Sequence, residues 1–236
     1  MPAPERPPEQ LELLQAGRID VKGRLPWSSN GTFLVELALD GHSDMAVYKP
    51  ARGERPLWDY PSGLFRRERA VYLVSAALGW GLVPVTILRD GPMGPGSLQH
   101  FVPADFREQY FSLLERPEHH DALRTICLFD LVVNNGDRKA GHCLLGEDGH
   151  VWAIDHGLCL HEEPKLRTVI WDFAGEPFPP STVEDLTRLV VAPPAELDLV
   201  LTPEEVDALV LRVADLVRYP VFPSLRSGRA YPWPLI

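Results

Sequence analysis

The sequence predicts an α+β protein of two lobes, with its site in the cleft between them. Three observations carry that prediction. Residues 19–102 read as strands interrupted by one helix, and residues beyond about 103 read as helices around a short hairpin. Residues with chemical potential gather at 134–157, just beyond the point where the two styles meet. At 236 residues the chain is long enough to bury a sizeable core. The division it suggests is an N-terminal extension with a short helix (1–17), a strand-rich lobe (18–102) and a mainly helical lobe (103–236).

The first eight residues, MPAPERPP, are proline-rich and predict an extended or disordered start. EQLELLQAG then reads as a helix closed by Gly17. Ile19 to Leu25 has Ile19, Val21, Gly23 and Leu25 on one face of a strand, and Thr32 to Leu39 resumes the alternation. The intervening PWSSNG makes a hairpin tip that is small, polar and rich in backbone donors. A third strand, Ala46 to Lys49, ends in lysine followed by Pro50. After a polar loop, Ser62 predicts the N-cap of a helix running to about Leu78. Glu68 falls on its apolar stripe with Leu64, Val71 and Tyr72, where a carboxylate needs a partner, and Lys49 is the obvious one. Strands VPVTIL and GSLQHFV follow, joined by the turn-rich RDGPMGP.

Helical patterns then cover Asp105 to Leu114 and His119 to Val133, the second carrying Leu123, Ile126, Cys127 and Leu131. A hairpin of CLL, EDG and HVWAID comes next. Beyond the proline-rich EPFPPS lie helices at Val183 to Val191 and Pro203 to Val217, and a tail too rich in proline for regular structure.

Composition excludes more than it identifies. Apolar residues at 45% and charged residues at 24% are ordinary for a globular protein. A net charge of −10 without a polybasic stretch argues against nucleic acid and against an anionic membrane surface as partners. No run reaches membrane-spanning length and no apolar N-terminal segment follows basic residues, so a cytoplasmic protein without integral membrane association is expected. Cys127, Cys143 and Cys159 lack zinc or disulfide spacing and read as reduced thiols.

The chemistry concentrates in NNGDRKAGHCLLGEDGHVWAIDHG. Asp137 lies in a polar loop and Asp155 ends a strand, with a hairpin to bring them together. Phosphoryl transfer needs such a pair: one carboxylate beside the acceptor hydroxyl, the other holding metal on the nucleotide. Lys139 suits neutralisation of the transferring group. A lone Lys–Glu pair is ordinarily a structural ion pair, and a lone loop aspartate a cap; their order along one chain gives them weight. Other features carry less. GPMGPGS lacks the GK[ST] ending of a phosphate loop, and neither His119-His120 nor His156, Cys159 and His161 has zinc spacing. Trp171-Asp172-Phe173 reads as core packing, and no GxSxG elbow occurs.

VYK, a helix with RRERA, NNGDRKAGH and AIDHG, in that order, resemble the protein-kinase-like fold over roughly residues 19–175. They look most like its branch of phosphoinositide lipid kinases and HipA-type bacterial kinases, and are similar to a family of actinobacterial proteins described as phosphoinositide-kinase-like. The resemblance implies a bilobal fold with a small β-rich N-lobe bearing one helix and a larger helical C-lobe. It implies Lys49 as the lysine on ATP, Glu68 as its partner, Asp137 as catalytic aspartate and Asp155 as metal ligand for Mg2+ or Mn2+. Ser28, Ser29, Asn30, Gly31 and Thr32 would cover the phosphates, and the backbone of Gln99, His100 and Phe101 would meet adenine.

Departures from the pattern matter. His142 stands five after Asp137, where related kinases place a metal-binding asparagine, and imidazole is a poorer magnesium ligand. It is a candidate metal ligand, or a hydrogen-bond partner of Asp155 or a phosphate. His156 replaces the usual phenylalanine in DHG, and the phosphate turn has one glycine. The expected function is an ATP- and metal-dependent kinase acting on a hydroxyl of a small molecule, protein or lipid head group. The alternatives are a nucleotide-binding pseudokinase or partner-binding module, then an AMP transferase. The acceptor and oligomeric state stay open.

Overall fold

A computed structural model describes residues 8–26, 28–224 and 230–236. The expectation for the proline-rich start falls almost wholly outside them, as do Trp27 and residues 225–229 of the tail.

The N-terminal lobe is an antiparallel sheet of β1 (Arg18–Arg24), β2 (Phe33–Leu39), β3 (His42–Pro50), β4 (Thr86–Gly91) and β5 (Gly94–His100), in the order β1-β2-β3-β5-β4. Helix α1 (Pro8–Ala16) lays Leu13 and Leu14 on Val35, Leu37, Tyr48 and Leu98. Burying each leucine is worth about 1.5–3 kcal/mol. The Gly17 amide donates to Leu13 O at 2.9 Å, closing the helix as its position predicts.

Three expectations about this lobe need correction. β1 does not present one buried face: its register shifts between Val21 and Gly23, and Val21 is exposed. The strand is the sheet's edge, where Lys22 bridges Asp20 and Glu36 at 2.9 and 2.6 Å, a charged residue at a bulge of the kind that discourages further pairing. RDGPMGP is not a long loop, because Arg89–Gly91 and Gly94–Gly96 are paired strand. Ser62 does not cap helix α2 (Leu64–Leu78): its N-cap is Gly63 at φ 97°, and the amides of Gly63 and Phe65 donate to the Glu54 carboxylate at 2.9 and 2.7 Å.

The second lobe is built from α3 (Tyr110–Leu114), α4 (His120–Val133), α5 (Pro180–Val191) and α6 (Pro203–Arg218), with the hairpin β6 (Cys143–Leu145) and β7 (Val151–Ala153). α3 begins later than the pattern predicts. Asp105 instead takes the Arg107 amide at 3.0 Å in a turn, and Gln109 caps the helix. Helix α2 joins the lobes: Ala70, Val71 and Val74 belong to the helical core, while Tyr72 packs against both cores. Thr202 and Glu205 form a capping box on α6, and the Glu205 carboxylate also takes the buried Arg67 guanidinium of α2. The described residues of the tail are fastened to the lobe. Ala230 O accepts from the Thr168 amide at 2.9 Å, and Leu235 O from the Ala140 amide at 2.8 Å. No helix among the described residues is long and apolar enough to cross a membrane.

Candidate active site

Helix α4 carries its apolar stripe into the core and, on it, the fully buried Asp130. The helix stops at Asn134, whose φ of 52° turns the chain. Its amide side chain holds the returning segment, donating to His161 O and Glu163 O and accepting from the Lys165 amide, all at 2.7–3.0 Å. Gly136 is required by space, since a Cβ there would collide with the Tyr60 hydroxyl. Arg138 then turns inward. It is fully buried, forks onto Asp130, and donates to the carbonyls of His142 (3.1 Å) and Ile154 (2.9 Å) and to His156 Nε2 (2.8 Å). Asn135 and Thr168 also donate to Asp130. Burial disfavours the Arg138 charge, but the adjoining Asp130 outweighs it and raises its pKa. His156 is held neutral by burial and by Arg138. With Nε2 accepting, its proton sits on Nδ1, which has no partner among the described residues.

That frame fixes both aspartates. The Asp137 amide donates to Asn135 Oδ1 at 2.9 Å, and its carboxylate lies 3.5 Å from Lys139 Nζ. Burial raises the Asp137 carboxyl to about 6, against the attraction of Lys139 and with the repulsion of Asp155. Asp155 adopts φ 59°, an uncommon conformation for a non-glycine residue. Lys49 Nζ donates to Asp155 Oδ1 at 2.9 Å and to the buried Glu68 carboxylate, whose other oxygen accepts the His156 amide at 3.2 Å. Burial would lower the Lys49 pKa, but Asp155 and Glu68 reverse that and keep it charged. Lys49 in turn holds Asp155 far below the usual carboxylate range, against its desolvation. His142 completes the group: Nε2 is 3.3 Å from Asp155 Oδ2 and Nδ1 is 3.1 Å from Asp137 O. Burial lowers its pKa to about 4, so the ring is neutral at pH 7.

The cleft has two connected chambers. One is bounded by Ser28, Ser29, Asn30, Gly31 and Thr32 together with Lys49, Glu68, Asp137 and Asp155. The other has apolar walls from Val47 of the sheet and Leu144 and Ile154 of the hairpin, and includes Gln99, His100, Phe101 and His142. The structure therefore brings these residues to one cleft, with Lys139 beside Asp137. At the end of β5, the amides of His100 and Phe101 donate to Val85 O (2.9 Å) and Met45 O (3.0 Å), and the Gln99 side chain donates to Thr86 Oγ1 (2.8 Å).

Sequence reasoning missed the Asp130–Arg138–His156 frame. A signal was present: Asp130 continues the stripe of Ile126, Cys127 and Leu131, the same anomaly that singles out Glu68. The three thiols are free and buried, and burial pushes that of Cys143 up to about 12. Phe173 is in the core, as the reading of that triplet expects, and Asp172 accepts from the Tyr110 hydroxyl.

A small antiparallel sheet over a helical lobe, joined by an ion pair that reaches across the cleft, defines a kinase-like protein, and solved structures share the fold. The Golgi casein kinase with Mn/ADP bound superposes with a TM-score of 0.58 at 13% identity, covering 97% of this chain and 80% of that one. Hydra Fam20 with sugar gives 0.53 at 14% identity, covering 89% and 87%. The chain belongs to the phosphatidylinositol 3- and 4-kinase family, whose sequence pattern matches residues 85–221. It is 42% identical to protein Rv2133c of Mycobacterium tuberculosis (strain ATCC 25618 / H37Rv), over 96% of this chain and 95% of the relative. It is 28% identical to phosphatidylinositol 4-kinase gamma 4 of Oryza sativa subsp. japonica, over 65% of this chain and 34% of that protein.

Proposed function

We propose that this protein is an ATP- and divalent-metal-dependent phosphotransferase acting on a hydroxyl of a small molecule, protein or lipid head group. One observation carries the reading: Lys49, fixed by Glu68, meets Asp155 in the same cleft that Asp137 lines. Lys49 keeps a full positive charge to place on nucleotide phosphates. The apolar chamber beside Val47, Leu144 and Ile154 accepts a flat base. Because the His100 and Phe101 amides are already committed, polar contact with that base falls to other polar groups of residues 99–101. Asp137 receives the proton of the acceptor hydroxyl, and its pKa near 6 leaves it a competent base at pH 7.

The donor set fits a divalent ion. Asp155 opens 51% of its side-chain surface to the cleft, and His142 Nε2 is beside it. His142 Nδ1 lies 3.1 Å from Asp137 O and 3.4 Å from the Lys139 amide; in the tautomer that donates along the shorter contact, the Nε2 lone pair is free on a ring that stays neutral at pH 7. Two protein ligands plus nucleotide oxygens are a usual way to hold Mg2+ or Mn2+, and an imidazole favours Mn2+. When bound, the ion supplies charge neutralisation on the phosphates.

The test is thermal shift with ATP, with and without Mg2+ or Mn2+, followed by ATP turnover. A metal-dependent rise in Tm that Asp155→Ala abolishes supports the reading. Turnover unaltered by Asp137→Asn would refute it. His142 in place of asparagine favours a second reading, a protein that holds nucleotide without transferring phosphate. Nucleotide and metal binding with no transfer to any acceptor, water included, would select it.

A further inference from the structure

The turn of Ser28, Ser29, Asn30, Gly31 and Thr32 is bolted down. The Gly31 amide donates to Gly53 O at 2.8 Å, and the Arg55 amide donates to Asn30 Oδ1 at 3.0 Å. Between those two anchor residues sits Glu54, whose carboxylate receives the Gly63 and Phe65 amides at the start of α2. Helix α2 carries Glu68 to Lys49, and Lys49 is four residues before Gly53, through Pro50 and the 3-10 turn Ala51–Gly53. Three consecutive residues thus fasten the turn, the end of β3 and the helix N-terminus to one another.

We propose that residues 53–55 are a brace, with Gly53, Glu54 and Asn30, which takes the Arg55 amide, acting as positioning residues for the turn. The brace rests on geometry alone; its bearing on nucleotide rests on the function proposed above. Space supports it. A Cβ on Gly53 would lie 2.7 Å from Gly31 O and 3.0 Å from Gly31 Cα, and a Cβ on Gly31 would lie 3.0 Å from Gly53 Cα. The obstructing atoms are backbone and cannot rotate aside, so the two chains touch only because both residues lack a side chain. The Glu54 carboxylate at a helix N-terminus supplies the acceptor that orphan amides there need and favourably opposes the helix dipole. One consequence concerns phosphate recognition. The Gly31 amide is committed to Gly53 and does not point its hydrogen at a phosphate, and Ser28 Oγ already shares a hydrogen bond with Thr32 Oγ1 at 2.7 Å.

Hydrogen exchange of the nucleotide-free protein, read at the Gly31 amide by NMR, tests the brace directly. Protection of about tenfold or more over a free loop amide is expected in the wild type. Gly53→Ala should abolish it and weaken ATP binding, read by calorimetry, about tenfold, the effect of one or two lost hydrogen bonds. If Gly53→Ala does not fold, Asn30→Ala removes an acceptor without crowding and should accelerate exchange at Gly31 at least threefold. Exchange of wild-type Gly31 at the free-loop rate would overturn the brace, as would a folded Gly53→Ala, or an Asn30→Ala, with unchanged exchange. Protected exchange in a protein that binds no ATP would leave the brace standing and remove the nucleotide reading instead.

Discussion

Asp137 is the residue on which pH should act. Its carboxyl titrates near 6 in the folded protein, above the 3.8 of a free aspartate. As the base form is lost, kcat/KM should fall on the acid side with a limb near pH 6, and Asp137→Asn should lower kcat by about 10²–10⁴. The same shift governs stability in the opposite sense. Between the two values the folded state binds more protons than the unfolded one, so stability falls as pH rises from about 4 to about 6. Asp137→Asn removes that loss, so its Tm should exceed the wild type at pH 7 and match it near pH 4. Equal Tm values at both pH values would place the carboxylate in a more solvated setting than the structure shows. Arg138 poses a different test. Replacing it with Met leaves Asp130 buried without its counter-charge, which costs about 3–5 kcal/mol and should show in urea unfolding. Lys49, Glu68 and Asp155 were legible because each breaks a local rule, a carboxylate on an apolar stripe or a charge at a strand end, whereas Asp137, in a polar loop, stood out only through its order along the chain with them. Arg138 was not, because between Asp137 and Lys139 it reads as one more loop charge, and its inward turn depends on partners such as Ile154 and His156 across the hairpin.

At the level of elements, the sequence marked helices and strands well and their starts less well. Ser62 has the right chemistry for a cap, but the acceptor that the amides of α2 actually use comes from Glu54 across a loop, a contact no local pattern encodes. α6 is the contrary case, where Thr202, Pro203 and Glu205 spell out their own capping box. Thr202→Ala should cost about 1 kcal/mol, which for a chain of this size is a fall in Tm of about 2–4 °C. No change would mean that Glu205 is held sufficiently by Arg67 alone. The β4–β5 hairpin was under-read because Gly91, Gly94 and Gly96 suppress the alternation that identifies strands; a Cβ on Gly91 would strike the Tyr48 ring, and one on Gly96 the Lys49 carbonyl and then Pro50 and Tyr48. α3 was over-read because Asp105 and Arg107 satisfy each other in a turn, at 2.6–3.0 Å, instead of extending a helix.

For the whole molecule, the two-lobed plan was visible in the change from strand period to helix period near residue 103, whereas the coupling between lobes was not. That coupling runs through α2, which belongs to the helical core, touches the sheet core through Tyr72, and binds α6 through Arg67 and Glu205. The lobes should therefore melt together. Circular dichroism and tryptophan fluorescence should give coincident urea transitions; two separated transitions would show that the lobes are independent. The fastened tail has a practical bearing. Residues 230–236 lie beyond the stretch matched to the family, yet Leu235 holds the amide next to Lys139. A preparation nicked near that end would migrate almost like intact protein on a gel while the loop bearing Asp137 and Lys139 had lost a support. Differences in turnover between batches would then trace to sample integrity, and an intact-mass spectrum would reveal them before any assay.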